Sequence, residues 1–298
     1  MMTSEQYRDS LDDLNLDVYI QNNRVDNVHD NPVIRRAIDA TAKTYEMAHR
    51  PDYAHVMTAI SHINGSRINR FNHVNQNIDD LIKKMTLDRL FNGNNGSCFH
   101  RTLGMNTLNT LSITTEDMDA EYGTDYHGRF LQYLEYIQAN DLTCDGSMVD
   151  PRANRYLPPH RHPNPDTLLH VVDERDAGLM LYGVKACRMS ALTAHEIIVI
   201  PTTAVTELDD LYAVLFSLPS DAEGVTFIIE RDLHTAAMSG DTIASRERER
   251  FKDQEILCVF DNVMVPWERV FMYKEGVKTG VDSLFLDLRI NHPIALSC

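Results

Sequence analysis

Two stretches of the sequence indicate most about the fold: CRMSALTAHEIIVIPT, residues 187–202, and DNVMVPWERVF, residues 261–271. In each stretch an apolar run typical of a β-strand meets a polar cluster that favours a turn. The cluster Thr193–Glu196 precedes Ile197–Ile200 in the first, and Asp261-Asn262 predicts a turn in the second. Because loops at strand ends often shape ligand sites, both stretches predict a β scaffold that carries a binding site.

The pattern of apolar residues changes near residue 140. Before that point the spacing is helical, and after residue 150 short apolar runs between turn-rich segments predict strands. Five helices are predicted. Three of them start at a Ser4 cap, at Asn31-Pro32 and at Pro51, the last with Val56, Ile60 and Ile63 on one face. The other two cover Ile78–Phe91 and Thr115–Gln138. The predicted strands are Leu168–Val172, Gly178–Ala186, Glu196–Pro201, Tyr212–Leu218, Val225–Glu230 and Glu255–Phe260. The sequence therefore predicts an α+β fold, with a helical N-terminal domain (residues 1–142) before a mostly antiparallel β domain (residues 143–278).

The aromatic residues of the last predicted helix, among them Tyr126, Phe130 and Tyr133, form a stripe at helical spacing. Such a stripe favours packing in a core over a cofactor site.

Composition narrows the class of protein. The net charge of −16 argues against nucleic acid or an acidic membrane surface as a partner, since both attract basic patches. Apolar runs are too short to span a membrane, and the acidic N-terminus does not resemble a secretory signal, so a cytoplasmic protein is expected. Five scattered cysteines predict reduced thiols rather than a disulfide framework.

Four clusters of residues are candidates for chemistry, and each has a structural alternative. Cys98 and His100 suit a metal or redox site, or a buried thiol beside a helix start. Residues 148–155 could present backbone N–H groups and Arg155 to an anionic ligand, or form a salt-bridged linker. His195-Glu196 could serve acid–base chemistry, or hold its loop by hydrogen bonds. His160–His162 lies among prolines and favours an exposed loop over a metal site.

Short blocks along most of the chain carry a resemblance to a known family. They include Thr3–Tyr7, Thr44–Glu46, Asn69–Phe71, Cys98–Arg101, Gly123–Tyr126, Arg129–Leu131, Asn140–Leu142, Asp150-Pro151, His195–Val199 and Val265–Phe271. In these blocks the chain resembles the 4-hydroxyphenylacetate 3-hydroxylase / 4-hydroxybutyryl-CoA dehydratase family of flavoproteins, and its detail is nearer to the dehydratase branch.

The resemblance implies an acyl-CoA-dehydrogenase-like fold, in which a helical N-terminal domain and a β-barrel domain precede a C-terminal helical bundle. Residues 279–298 would begin that bundle, so a chain lacking most of it is expected. The resemblance also implies FAD as cofactor and a homo-oligomer or a full-length partner subunit. The implied FAD contacts are Met148, Val149, Asp150, Arg155, Met189, Ser190, Ala191, Thr193 and Ala194.

The residues that match the family's catalytic positions differ from both branches. The resemblance implies that His100, Arg101 and Glu255 face a small-molecule substrate, a CoA thioester or a phenol. Dehydratases hold a [4Fe–4S] cluster through three cysteines and a histidine, but here Thr102 and Asn291 stand at two of those positions. Since iron–sulfur clusters require thiolates, no metal site is expected.

Three hypotheses about function follow. The chain is an FAD enzyme with diverged chemistry, or a dehydratase whose altered cluster is held by Cys98, His292 and Cys298. The third hypothesis is a truncated, non-catalytic relative that serves as a subunit or scaffold.

Overall fold

The computed structural model describes residues 1–94, 99–147, 149–151, 157–201, 208–229 and 255–275. Six helices are described: α1 (Ser4–Asp12), α2 (Pro32–His49), α3 (Pro51–Met57), α4 (Ile78–Asn94), α5 (Phe99–Tyr122) and α6 (Tyr126–Asn140). Among these, no helix is long and apolar enough to cross a membrane.

The helix starts follow from capping residues. Thr3 caps α1, where its hydroxyl accepts the N–H of Gln6 and the Gln6 side chain accepts the N–H of Thr3. The cap predicted at Ser4 is therefore one residue off. Pro32 and Pro51 begin α2 and α3, as predicted, because proline needs no hydrogen-bond partner in a first helical turn.

Two of the predicted helices have different limits. The helix predicted over Thr115–Gln138 is two helices, because Gly123 adopts a φ of +68° and ends α5. The helix predicted from Pro51 ends at Met57, and Thr58–Ile60 then forms a strand. Ile60 is exposed, so it does not share a buried face with Val56.

The strands are β1 (Asp17–Ile20), β2 (Asn23–Arg24), β3 (Thr58–Ile60), β4 (Arg67–Asn69), β5 (Cys144–Ser147), β6 (His170–Arg175), β7 (Gly178–Arg188), β8 (Glu196–Val199), β9 (Val214–Pro219), β10 (Val225–Ile229), β11 (Glu255–Pro266) and β12 (Val270–Tyr273). All six predicted strands are confirmed, with ends that shift by a few residues. The turn predicted at Asp261-Asn262 is instead a bulge inside β11, where the register against β7 shifts between Phe260 and Val263. Asn262 has a φ of +53° there.

The strands form open sheets. A six-stranded sheet has the order β2-β1-β10-β11-β7-β6, a four-stranded sheet has the order β12-β9-β8-β5, and β3-β4 is a separate hairpin. The prediction of a β-barrel is therefore wrong for the described residues, since both large sheets keep free edges. Pairing is mainly antiparallel, as predicted, with the exceptions of β1–β10 and β5–β8.

The first strand shows that the N-terminal region is not purely helical. Asp17–Ile20 pairs with Thr226–Ile229 in parallel and becomes an inner strand of the large sheet. Tyr7, Leu11 and Ile34 of α1 and α2 join the same hydrophobic core as that sheet. The boundaries of the domains stay a prediction.

Helix α5 lies directly against strand β5, and two glycines make this approach possible. A Cβ on Gly104 would lie 2.0 Å from the carbonyl oxygen of Cys144, and one on Gly146 would lie 2.4 Å from Oγ1 of Thr107. The aromatic stripe of α6 packs in a buried cluster beside this contact, so its prediction as core is confirmed. Among the described residues, Cys144, Cys187 and Cys258 are free, which agrees with the prediction of reduced thiols, and all three are buried.

Candidate functional site

The loop predicted to face a flavin, Met189–Ala194, contains a short 3-10 turn (Met189–Thr193) between β7 and β8. All of its side chains are buried. The Ser190 hydroxyl donates to Oδ1 of Asp145 at 2.7 Å, and the Thr193 hydroxyl donates to the Ser190 carbonyl at 3.0 Å. The polar side chains of this loop are therefore engaged within the protein.

Tyr7 of α1 holds this turn from the other side. Its hydroxyl donates to the carbonyl oxygen of Thr193 at 2.7 Å in a buried contact between residues far apart in sequence. The Tyr7 ring stacks on Tyr45 at 4.7 Å, and the Arg101 guanidinium lies 4.2 Å from the centre of the Tyr45 ring. A continuous stack thus connects the predicted flavin loop with the predicted catalytic residue Arg101.

Replacing Tyr7 with Phe tests whether this contact fixes the loop. We expect the free energy of unfolding to fall by about 1–2 kcal/mol, because the buried Thr193 carbonyl loses its donor. Chemical denaturation measures the change. Tyr53→Phe, at a half-buried ring on α3, is the matched control, and its free energy of unfolding should stay within about 0.5 kcal/mol of the wild type. An equal loss in both variants would show that the hydrogen bond from Tyr7 to Thr193 does not stabilise the loop.

Arg101 is a buried cation enclosed by aromatic rings. Its guanidinium lies between Tyr45 and Phe71, at 4.6 Å from the latter ring, and Nη1 donates to the Thr44 hydroxyl at 3.1 Å. Within the described residues, Nη2 of Arg101 has no hydrogen-bond partner. Arg101 is therefore a buried cation whose Nη2 has no partner among the described residues.

His195 is held as a neutral imidazole. Its Nδ1 accepts the N–H of Thr143 at 3.0 Å, so Nε2 carries the proton and lies 2.9 Å from the Ser10 hydroxyl, which itself donates to the Tyr7 carbonyl. Burial, together with the charge of Arg101, lowers the pKa of His195 to about 4. Both ring nitrogens are engaged in the protein, which favours the alternative that His195 holds its loop.

Glu196 is engaged in an ion pair, which does not favour the predicted role in acid–base chemistry. Both of its carboxylate oxygens accept from Arg269, at 2.6 and 3.2 Å. Burial raises the pKa of Glu196, while the Arg269 guanidinium opposes that rise. This bidentate pair joins β8 to the turn before β12, so the pattern His195-Glu196 is explained by structure.

The segment predicted to meet an anionic ligand is only partly described. Val149 bridges to Ala186 of β7 and leaves its side chain well exposed. The Asp150 carboxylate accepts from Lys185 at 2.7 Å. The described part of this segment therefore carries a closed ion pair and an exposed valine.

Thr102 lies at the position where the resemblance implies a cluster cysteine. Its hydroxyl donates to Oδ1 of Asp88 on α4 at 3.3 Å. Lys84, one turn away from Asp88 on α4, is fully buried. Burial lowers the pKa of Lys84 to about 8 and raises that of Asp88 to about 6, and the attraction between the two opposes both shifts. A hydroxyl that faces this charged pair does not fit as a ligand of an iron–sulfur cluster.

The other predicted site residues lie outside the described residues in whole or in part. Met148, Arg155 and residues 276–298, with Asn291, His292 and Cys298, are outside them, as is Cys98. The side chains of His100 and Glu255 are also outside, although the backbone of Glu255 pairs with Arg188. His160 to His162 lie in a partly exposed turn, as predicted. In the described part of the chain no group of three acidic, histidine or cysteine residues is placed to hold a metal ion.

Sequence reasoning missed Tyr7, Tyr45 and the pair Lys84–Asp88. Tyr7 and Tyr45 lie within blocks typical of the family, but nothing in those blocks says that the rings stack. Lys84 and Asp88 have the spacing of an exposed i,i+4 ion pair, and only the packing of α4 shows that both are buried.

Comparison with known proteins shows which family the sequence of this chain matches. The profile of a family described as 4-hydroxyphenylacetate 3-hydroxylase N terminal matches residues 3–272. The chain is 42% identical over 276 residues to 4-hydroxybutyryl-CoA dehydratase/vinylacetyl-CoA-Delta-isomerase of Clostridium aminobutyricum, covering 92% of this chain and 56% of that protein. It is 26% identical to the oxygenase component of 4-hydroxyphenylacetate 3-monooxygenase of Thermus thermophilus, covering 91% of this chain and 54% of that protein.

Solved structures agree with these sequence matches. An oxygen-tolerant archaeal 4-hydroxybutyryl-CoA dehydratase from N. maritimus superposes with a TM-score of 0.84 at 33% identity, covering 96% of this chain and 56% of that one. The oxygenase component of 4-hydroxyphenylacetate 3-monooxygenase with bound FAD and 4-hydroxyphenylacetate shares the fold, with a TM-score of 0.75 at 22% identity over 98% of this chain and 62% of that one. The chain spans about half the length of the curated relatives it matches.

Proposed function

Because the chain belongs to the flavoprotein family of 4-hydroxyphenylacetate 3-hydroxylase and 4-hydroxybutyryl-CoA dehydratase, we propose that it binds FAD and serves a flavin-dependent reaction on a small molecule. The substrate is a CoA thioester or a phenol, the two classes named for its relatives. FAD, when bound, supplies electron or hydride transfer. The catalytic positions have diverged, so the reaction differs from those of both named relatives.

The observation that carries this proposal is the family match over residues 3–272, which includes every described residue of the predicted flavin site. The stack from Thr193 through Tyr7 and Tyr45 to Arg101 supports it further. This stack fixes a loop of short residues and a buried cation relative to each other. A fixed geometry of this kind is what a cofactor site requires.

Roles follow for the chain's own residues. The backbone of Met189–Ala194 approaches the flavin ring. Val149 and Asp150 line the entry to the flavin site, and Arg155 offsets the charge of the FAD pyrophosphate. His100, Arg101 and Glu255 face the substrate. A homo-oligomer or a partner subunit completes the site.

Titration of the purified chain with FAD and with riboflavin, followed by flavin fluorescence, tests the proposal. We expect a roughly micromolar Kd for FAD. Arg155→Met should weaken FAD about tenfold or more and leave riboflavin unchanged, because only FAD has a pyrophosphate. Arg175→Met, at an exposed ion pair with Asp173, is the matched control. If neither flavin quenches, the chain is not a flavoprotein by itself, and the scaffold alternative stands.

That alternative is a non-catalytic relative that acts as a subunit or scaffold. It is favoured by the replaced catalytic positions, above all Thr102. Native mass measurement of the chain mixed with a full-length relative distinguishes it: a scaffold forms a stable hetero-complex without any flavin.

The hypothesis of an altered iron–sulfur cluster makes a separate prediction. Iron and sulfide should then accompany the anaerobically purified protein and disappear in Cys98→Ala. Under the proposed function, the same substitution leaves FAD affinity unchanged, because Cys98 is not among the flavin contacts.

A further inference from the structure

Asn106 of α5 is a buried amide without a partner. Its side chain is 0% exposed. Among the described residues, neither Oδ1 nor Nδ2 has a hydrogen-bond partner. Buried polar groups in proteins are nearly always paired, because an unpaired one forfeits its bonds to water without compensation. Asn106 is therefore a candidate for a partner that the described residues do not supply.

A second asparagine on the same helix shows the ordinary arrangement. Asn109 is also buried, but its Oδ1 accepts the N–H of Asn75 at 2.8 Å, and its Nδ2 donates to the carbonyls of His73 and Met105 at 3.1 and 2.9 Å. Asn109 therefore fastens α5 to the segment before α4. Thr107 and Thr114 of α5 also bury a hydroxyl that has no partner among the described residues, but Asn106 is the α5 side chain that leaves both a donor and an acceptor unpaired there.

The surroundings of Asn106 are polar. Thr102 lies one turn earlier on the same face of α5 and donates to Asp88, and Lys84 lies one turn from Asp88 on α4. All four side chains are buried, and Leu87 of α4 and Met105 of α5 belong to one hydrophobic cluster. This group, Lys84, Asp88, Thr102 and Asn106, is the α4–α5 polar cluster.

The chemistry of the amide defines the group that it could bind. A carboxamide offers two donor hydrogens and an acceptor oxygen and carries no charge. A ligand hydroxyl, which donates one hydrogen and accepts another, satisfies both sides of the amide at once. Both named classes of relatives act on molecules whose printed names contain a hydroxyl group, 4-hydroxybutyryl-CoA and 4-hydroxyphenylacetate.

We propose that Asn106, within the α4–α5 polar cluster, binds the hydroxyl group of the substrate. This assignment rests on the proposed function, because it takes the substrate to be a hydroxylated small molecule. Thr102, hydrogen-bonded to Asp88, positions the cluster beside that hydroxyl. The amide is therefore retained for recognition and not for folding.

The first experiment compares Asn106→Leu with the matched control Asn109→Leu in chemical denaturation of the full chain without ligand. Leucine has the shape of asparagine without its polar atoms, so Asn106→Leu should leave the midpoint denaturant concentration unchanged or raise it. Asn109→Leu removes three hydrogen bonds and should lower the midpoint clearly. A drop in Asn106→Leu as large as that in Asn109→Leu would overturn the proposal, because the amide would then serve the fold.

The second experiment measures hydroxyl recognition in the FAD-loaded protein. The probes are two pairs, 4-hydroxyphenylacetate with phenylacetate and 4-hydroxybutyryl-CoA with butyryl-CoA, followed by isothermal titration. In the wild type, the hydroxylated member of at least one pair should bind about tenfold or more tightly. In Asn106→Leu the preference should disappear, while the Kd for FAD stays the same.

The outcomes separate this inference from the proposed function. If the wild type binds FAD but prefers neither hydroxylated probe, or if Asn106→Leu keeps the preference, the role of Asn106 is wrong and the flavoprotein proposal stands. If the wild type binds no FAD, the proposed function fails and the assignment of Asn106 fails with it.

Discussion

Replacing Gly104 with Ala should cost about 3 kcal/mol or more of unfolding free energy and leave little folded protein. The added Cβ would lie 2.0 Å from the carbonyl oxygen of Cys144 and 2.6 Å from its carbonyl carbon, and neither atom can turn away because both are backbone. Either α5 or β5 must move, and both carry residues of the candidate site. Urea denaturation and circular dichroism measure the loss.

Gly128 of α6 provides the matched control, because it is also a helical glycine. A Cβ there would meet Oδ1 of Asp125 at 2.5 Å, but this atom is the end of an exposed side chain that can rotate away. Gly128→Ala should be neutral or should stabilise by up to about 1 kcal/mol, since alanine is the better helix former. Similar losses at both positions would contradict the close contact between α5 and β5.

The stability of the protein should fall in acid because of His195. Its folded-state pKa of about 4 lies below its unfolded value of about 6.5, so protons bind the unfolded chain more tightly. The contribution of His195 is complete above pH 6.5 and is lost as the pH falls towards 4, a change of about 3 kcal/mol. Chemical denaturation at several pH values between about 7.5 and 4 gives the free energy of unfolding at each pH. Its slope below about pH 6.5 measures the contribution of His195.

Two variants test whether His195 causes this dependence of the free energy of unfolding on pH. His195→Gln cannot titrate, so its stability should change less between pH 6.5 and 4 than that of the wild type. His55→Gln, at an exposed histidine on α3, should keep the wild-type slope. Asp88 and Glu196 also titrate in acid, and the comparison cancels them because they are present in every variant. A wild-type slope in His195→Gln would show that the imidazole is not held neutral.

Local patterns were enough to predict much of this fold. The six strands after residue 150 and the buried stripe of α6 follow from apolar spacing alone, which reports burial on one or both faces. Asp17–Ile20 was missed because four residues are too few to show a period, and its partner β10 lies far along the chain. The barrel was implied by the family resemblance, and the sheets of the described residues are open; closure depends on pairing between strand edges, which the spacing within a strand does not encode.

The site was predictable only where residue type limits the environment. Arg101 and the loop Met189–Ala194 were proposed through family resemblance, but their burial and their connection through Tyr7 depend on packing between distant elements. Asn106 carried no signal, because an asparagine in a helix is usually exposed and its sequence neighbours are ordinary. Likewise, the spacing of Lys84 and Asp88 is the same whether the pair faces water or the interior.

The pairing of β1 with β10 also has a consequence for biosynthesis. Thr226 donates to Asp17 across 209 positions of sequence, so β1 leaves the ribosome long before its partner strand. At usual translation rates that interval is on the order of 10–40 s. During this time the emerging N-terminal region exposes the apolar residues of α1 and α2 that later cover the large sheet, and chaperones have their opportunity to bind there. Final assembly of the large sheet must wait for β10 and β11, which makes its folding slow.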